Sequence, residues 1–134
     1  MGTIRLGCSG WDYRDWSEVF YKSGIESKLH AYSRIFNTAE INSTFYSYPS
    51  QGIVFGWSKY TPPEYKFAVK LNRLITHEKR LDISKGVGDD LKRFTELMKP
   101  LQDTGKLACI LIQLPPGFKF MKERVEGFLK ILPS

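Results

Sequence analysis

Glu40 and Asn42 stand two residues apart in the run Glu40-Ile41-Asn42-Ser43-Thr44-Phe45-Tyr46. Side chains of an extended strand alternate, so this spacing delivers a carboxylate and an amide to one face. A carboxylate in a short apolar strand is costly unless it is paired or works in a cleft. In a cleft, Glu40 fits a general acid or base or a cation ligand, and Asn42 fits a group that orients a substrate hydroxyl or carbonyl. A structural pair between Glu40 and Lys70 on the neighbouring strand accounts for the same residues equally well. The run Lys70-Leu71-Asn72-Arg73-Leu74-Ile75-Thr76-His77-Glu78 adds a histidine in a strand-end loop, suited to shuttling protons near neutral pH. Lys70, Arg73, Lys79 and Arg80 gather with His77 against Glu78 alone, which makes this segment an anion-facing candidate, although a solvated charged face is the commoner origin of such a run.

Two further loops contribute. Gly7-Cys8-Ser9-Gly10-Trp11-Asp12-Tyr13-Arg14-Asp15-Trp16 has glycines for a tight turn and aromatics suited to lining a pocket, with Trp11 and Trp16 equally suited to packing on the body. Its glycines are a weak anion signal, because no helix start follows directly. Gln113 ends another strand-like run as a polar contact before Leu114-Pro115-Pro116-Gly117, where the prolines stop the strand. The candidate catalytic residues are therefore Glu40, Lys70 and His77, and the candidate ligand-binding residues are Trp11, Asn42, Tyr46, Arg73 and Gln113. No second His or Cys lies at metal-ligand spacing to His77, so no metal site is expected. His30 falls in a helical stripe and reads as structural. No nucleophile-elbow, P-loop or dinucleotide fingerprint occurs, so no cofactor is named.

The elements that must position these residues follow from periodicity. Strand-like runs cover Ile4 to Cys8, Thr38 to Ile41, Lys66 to Leu71 and Leu107 to Leu114, short and apolar as parallel strands buried on both faces are. Helical stripes run through Leu29, Tyr32 and Phe36, ended by Asn37 as a left-handed cap, and through Ile53, Val54 and Trp57 after the start signal Pro49-Ser50. Leu91, Phe94, Leu97, Met98 and Leu101 form a third, with Asp89 and Asp90 placed to cap it and complement its dipole, and Val125, Phe128, Leu129 and Leu132 form the last.

This βαβαβαβα order predicts an α/β fold with a parallel sheet and right-handed crossovers, either an open flavodoxin-like layer or part of a closed (β/α)8 barrel. Arg5, Glu40, Asn42, Lys70 and Gln113 all lie on registers compatible with a barrel lumen, beside small or apolar neighbours such as Gly7, Ala68 and Leu111. Such barrels take ~250 residues, and 134 residues supply four units. The expectation is half a TIM barrel, a parallel (βα)4 unit forming one domain over residues 1–134.

Composition is that of a globular chain, 42% hydrophobic and 25% charged, and no apolar run approaches the ~20 residues that cross a bilayer. The N-terminus enters a strand pattern at once, without a signal-peptide apolar region, so a cytoplasmic address and no membrane partner are expected. The net charge of +6 steers anionic ligands, including phosphates or nucleic acid, or simply solubilises the surface. Cys8 and Cys109 sit in apolar runs and read as buried free thiols.

Taken together, Gly7-Cys8-Ser9-Gly10-Trp11, Glu40 through Tyr46, Phe67-Ala68-Val69-Lys70, Ile75-Thr76-His77-Glu78 and Gln113-Leu114-Pro115-Pro116 resemble, in order and distance, the N-terminal half of the YecE-like proteins, a family with a domain of unknown function (number 72). The resemblance implies a TIM-barrel fold with a polar pocket at the C-terminal strand ends, and it implies no particular reaction. Trp11, Glu40, Asn42, Tyr46, Lys70, His77 and Gln113 occupy signature positions of that pattern. Members of the family continue for about as long again, whereas this sequence stops at Leu132-Pro133-Ser134. A truncated frame, a fragment and a split protein all fit that difference, and a missing C-terminal half or a second copy of the chain is the expected partner. The functional expectation is a pocket for a small polar or anionic ligand, serving acid/base or hydrolytic chemistry in the complete protein. The rival is a non-catalytic module for single-stranded nucleic acid or phosphate, in which the basic loop tracks a backbone while Trp11, Tyr46 and Tyr48 stack on bases.

Overall fold

The computed structural model describes residues 2–133. At its centre three parallel strands, β1 (Thr38–Ile41), β2 (Lys66–Lys70) and β3 (Leu107–Leu111), lie side by side in chain order. Helices α1 (Lys28–Ser33), α2 (Ser43–Tyr46), α3 (Gln51–Lys59), α4 (Val87–Asp103) and α5 (Lys122–Lys130) complete the α/β fold. Parallel neighbours require crossovers, and α3 and α4 lie in the β1–β2 and β2–β3 crossovers respectively.

Only one face of the sheet is covered. Ala39 and Ile41 of β1 and Phe67 and Val69 of β2 are buried in a core shared with Val54 and Trp57 of α3 and with Leu91, Phe94, Met98 and Leu101 of α4. Each fully buried Val, Ile, Leu, Met or Phe side chain among them contributes roughly 1.5–3 kcal/mol of transfer free energy. Ser50 starts α3 as its spacing predicts, its hydroxyl accepting from the Ile53 N–H at 3.4 Å. The alternate residues Glu40, Ala68 and Lys70 are half-buried on the opposite face, where Cys109 and Leu111 are exposed.

That uncovered face corrects several expectations. Cys109 is an exposed thiol, on the uncovered face of β3, and Cys8 is only partly buried, at the margin of the core. The predicted strand from Ile4 to Cys8 does not form a ladder. The segment meets β1 at a single parallel bridge, Ser9 to Glu40, where the Glu40 N–H donates to the Cys8 carbonyl at 3.0 Å and the Gly10 N–H donates to the Glu40 carbonyl at 2.8 Å. Upstream, side chains take the ladder's place: the Leu6 N–H donates to Asn37 Oδ1 at 2.8 Å and the Cys8 N–H to the Tyr32 hydroxyl at 2.6 Å. Gly7 lies so close to the Thr38 carbonyl that a Cβ would overlap it, an approach only glycine permits. The sheet thus has three strands where four were expected.

Asn37 is not the predicted left-handed cap. The chain leaves α1 through Arg34 in right-handed conformation, and Asn37 instead grips the N-terminal segment, accepting from Leu6 and donating to the Ile4 carbonyl. Likewise α4 is entered through Gly86 at φ 76°, so Asp89 and Asp90 complement the dipole of its first turn without capping it. The last strand ends at Leu111, three residues short of Leu114.

Candidate functional site

Strand pairing puts the functional candidates at the C-terminal ends of adjacent strands. Glu40 stands opposite Ala68, and Lys70 follows two residues on, on the same uncovered face. Asn42 has already left the strand: it takes right-handed backbone angles and opens α2. Its amide still reaches the carboxylate, through a residue between them. Ser9 Oγ donates to Glu40 Oε1 at 3.1 Å and accepts from Asn42 Nδ2. Ser9 and Asn42 line a cavity of about 360 Å³ together with Gly10, Trp11, Asp12, Tyr13, Ile41 and Ser43. Buried Thr44 fastens this end to the next strand, donating to the Lys70 carbonyl at 2.7 Å while the Asn72 side-chain amide donates to the Thr44 carbonyl at 2.8 Å.

The second group gathers past β2. Lys70 Nζ lies 4.4 Å from the centroid of the Phe45 ring, and the Phe45 and His77 ring centroids are 4.9 Å apart with their planes near perpendicular at 81°. Phe45 therefore spaces the ammonium from the imidazole and gives the cation an aromatic face. His77 Nδ1 is 2.9 Å from the Thr76 hydroxyl. Burial, followed by the charges of Lys70, Arg73 and Arg80, holds the imidazole below its usual value of 6.5. His77 sits in a wide π-type turn, Leu74–Glu78, a geometry often found at functional sites. The turn is followed by Arg80 and Leu81 at φ 51° and 61°, conformations that cost L-residues roughly 1–2 kcal/mol each. Burial of Leu81 and its N–H bond to the Ile75 carbonyl at 3.0 Å hold this strained stretch in place.

The candidates do not all converge. Glu40 and Asn42 meet through Ser9, while Lys70 and His77 meet through Phe45. No Glu40–Lys70 ion pair forms among the described residues; Lys70 turns to the ring instead. Arg73 is an exposed neighbour paired with Glu78 at 3.3 Å. Trp11 lines the cavity, but its ring packs on Trp57 and Phe67 at 6.4 and 6.1 Å. Tyr46 is 71% exposed, and Gln113 is exposed two residues beyond β3. Sequence reasoning quoted Ser9 and Phe45 without assigning them roles. The signal for Ser9 was the parallel register of the first loop with Glu40; for Phe45 there was none, since its partners are 25 and 32 positions away.

An expected result follows for His77. Its imidazole should titrate below 6.5 by NMR, and Lys70→Met, which removes one of the positive charges holding it down, should raise the midpoint. A midpoint at or above 6.5, unmoved by the substitution, would contradict this electrostatic picture.

Comparison with known proteins places these features in context. Residues 5–134 match the model of a family described as "Protein of unknown function DUF72". A UPF0759 protein of Bacillus subtilis, YunF, is 32% identical over 123 residues, which cover 91% of this chain and 43% of that one. The crystal structure of a DUF72 family protein from Thermotoga maritima superposes with a TM-score of 0.74 at 28% identity, covering 97% of this chain and 51% of its own. One from Enterococcus faecalis gives 0.73 at 27%, covering 96% and 45%. The chain spans about half the length of these relatives.

Proposed function

The chain belongs to the DUF72 family, and from that premise we propose that it is the N-terminal half of a TIM barrel, one (βα)4 domain over residues 1–134, whose strand-end mouth binds a small polar or anionic ligand. The sequential strand order supports this reading over an open flavodoxin-like sheet, in which the order reverses beside the first strand. So does the division of faces, with a packed helical side and a polar side where a barrel lumen would lie. The observation that carries the functional part is the placement of Glu40 and Lys70 on one uncovered face at neighbouring strand ends. In this reading Lys70, with Arg73 near it, attracts the anion, Glu40 and His77 transfer protons in acid/base or hydrolytic chemistry of the complete protein, and Asn42 orients the ligand.

The nucleic-acid reading draws less support. Of its three stacking residues, the Trp11 ring is engaged with Trp57 and Phe67, and Tyr48 packs against Phe94 with Arg93 over its ring at 4.6 Å. Tyr46 alone is broadly exposed among them.

Inorganic phosphate is the simplest probe of the anion mouth. Titrated into the chain and followed by NMR, it should shift the His77 resonances saturably, and Lys70→Met should weaken that binding about tenfold or more. Phosphate binding that is absent, or equally strong in the variant, would refute the assignment.

A further inference from the structure

We infer that the mouth takes a ligand with two chemically different ends, a hydroxyl-bearing body and a phosphate, and that Ser9 is the positioning residue for the hydroxyl end; this rests on the anion-mouth reading above. A serine hydroxyl has one proton to give and lone pairs to receive with. In Ser9 the proton goes to Glu40 Oε1, and a lone pair accepts from Asn42 Nδ2. Both neighbours are thereby fixed in orientation. Their remaining capacity is two acceptors and one donor: the second Glu40 oxygen, Asn42 Oδ1 and the second Asn42 amide N–H have no partner among the described residues. Such a pair receives hydroxyl donors, and its carboxylate repels an anion.

One strand spacing away, roughly 4.8 Å between neighbouring backbones, the chemistry inverts. Lys70 and His77 stand there with Arg73 and Arg80 close enough to depress the imidazole. Glu78 pairs with Arg73, so Lys70, Arg73 and Arg80 together still leave a net positive charge beside the imidazole, which suits a doubly charged phosphate better than a single carboxylate. A bare anion engages one half of the mouth and a neutral polyol the other, whereas a polyol phosphate engages both in a single orientation.

The Ser9 hydroxyl is not needed to hold its own loop. The segment is already tied by the Cys8 carbonyl and Gly10 N–H to Glu40, by Tyr13 donating to the Ser9 carbonyl, and by Tyr32 accepting from Cys8. Loss of the hydroxyl therefore should disturb recognition rather than folding.

The test is calorimetric titration of the full chain with inorganic phosphate, glycerol 3-phosphate and glycerate. Glycerol 3-phosphate should bind about tenfold or more tightly than phosphate, the effect of an added hydrogen bond to a charged group. Ser9→Ala should bring the ester down to the affinity of phosphate while leaving phosphate itself, and the melting temperature, unchanged. Ser9→Thr keeps a hydroxyl and should retain the preference. Equal affinity for ester and phosphate, or equal losses for both in Ser9→Ala, overturns the two-ended site and leaves the anion mouth standing. Tighter binding of glycerate than of the ester overturns the phosphate assignment. Failure of phosphate and ester alike removes the anion mouth and this inference with it.

Discussion

Replacing Lys106 with methionine should lower stability by about 3 kcal/mol, read as a fall in the urea midpoint with an unchanged slope. Lys106 is 5% exposed, and its ammonium donates to the Ser58 carbonyl at 2.6 Å, the Thr61 carbonyl at 2.7 Å and the Thr61 hydroxyl at 3.1 Å. All three protons are used, and they satisfy acceptors at the C-terminal end of α3, where a cation also suits the helix dipole. Methionine preserves the aliphatic stem and leaves those acceptors without their donor, at roughly 1–3 kcal/mol for each buried group. Relief from burying a charge offsets part of that sum. Burial depresses the Lys106 pKa below its ordinary 10.5, with Glu64 opposing the shift. Between the folded and unfolded values the unfolded chain binds more protons, so this residue's contribution makes stability rise with pH across that window, and the rise should vanish in Lys106→Met. An unchanged midpoint would mean that the α3–β3 junction does not depend on this cation.

Much of the scaffold was legible because it rests on periodicity. The helices around Val54 and Trp57, and around Leu91, Phe94, Met98 and Leu101, lie where their stripes predict, since these residues bury one face against the sheet. The strands β1, β2 and β3 were legible for the same reason, whereas the apolar run from Ile4 to Cys8 makes only a single bridge. What spacing does not carry is which strand faces stay open: Cys109 looks buried by its neighbours and is exposed because nothing packs on that side. Nor does it carry side chains that replace backbone partners, as Asn37 and Tyr32 do for the N-terminal segment.

At the candidate site, alternation anticipated that Glu40 and Lys70 share a face. It reached the right neighbourhood for Asn42 by the wrong route, because Asn42 begins a helix and meets Glu40 through Ser9. The alternative of a Glu40–Lys70 pair gives way to Lys70 over Phe45, since an aromatic face close to the ammonium competes with a carboxylate already bound by a hydroxyl. The π-type turn that presents His77 and the left-handed pair Arg80-Leu81 break local preferences, and no propensity argument foresees them.

The half-barrel account makes its largest demand on association. Among the described residues β3 pairs with β2 alone. Its run Leu107-Ala108-Cys109-Ile110-Leu111-Ile112 has no charge, proline or glycine to blunt a free edge. Ala108 and Cys109 are exposed, and Leu111 is 37% exposed on the face that a barrel lumen would enclose. An apolar edge continuous with an uncovered face favours pairing with a complementary half or a second copy, burying above ~1,000 Å² in total. Light scattering on the purified chain at micromolar concentration tests this most directly. The account predicts a particle of at least twice the mass of one chain; a monodisperse monomer that unfolds cooperatively would contradict it and favour a self-contained open sheet.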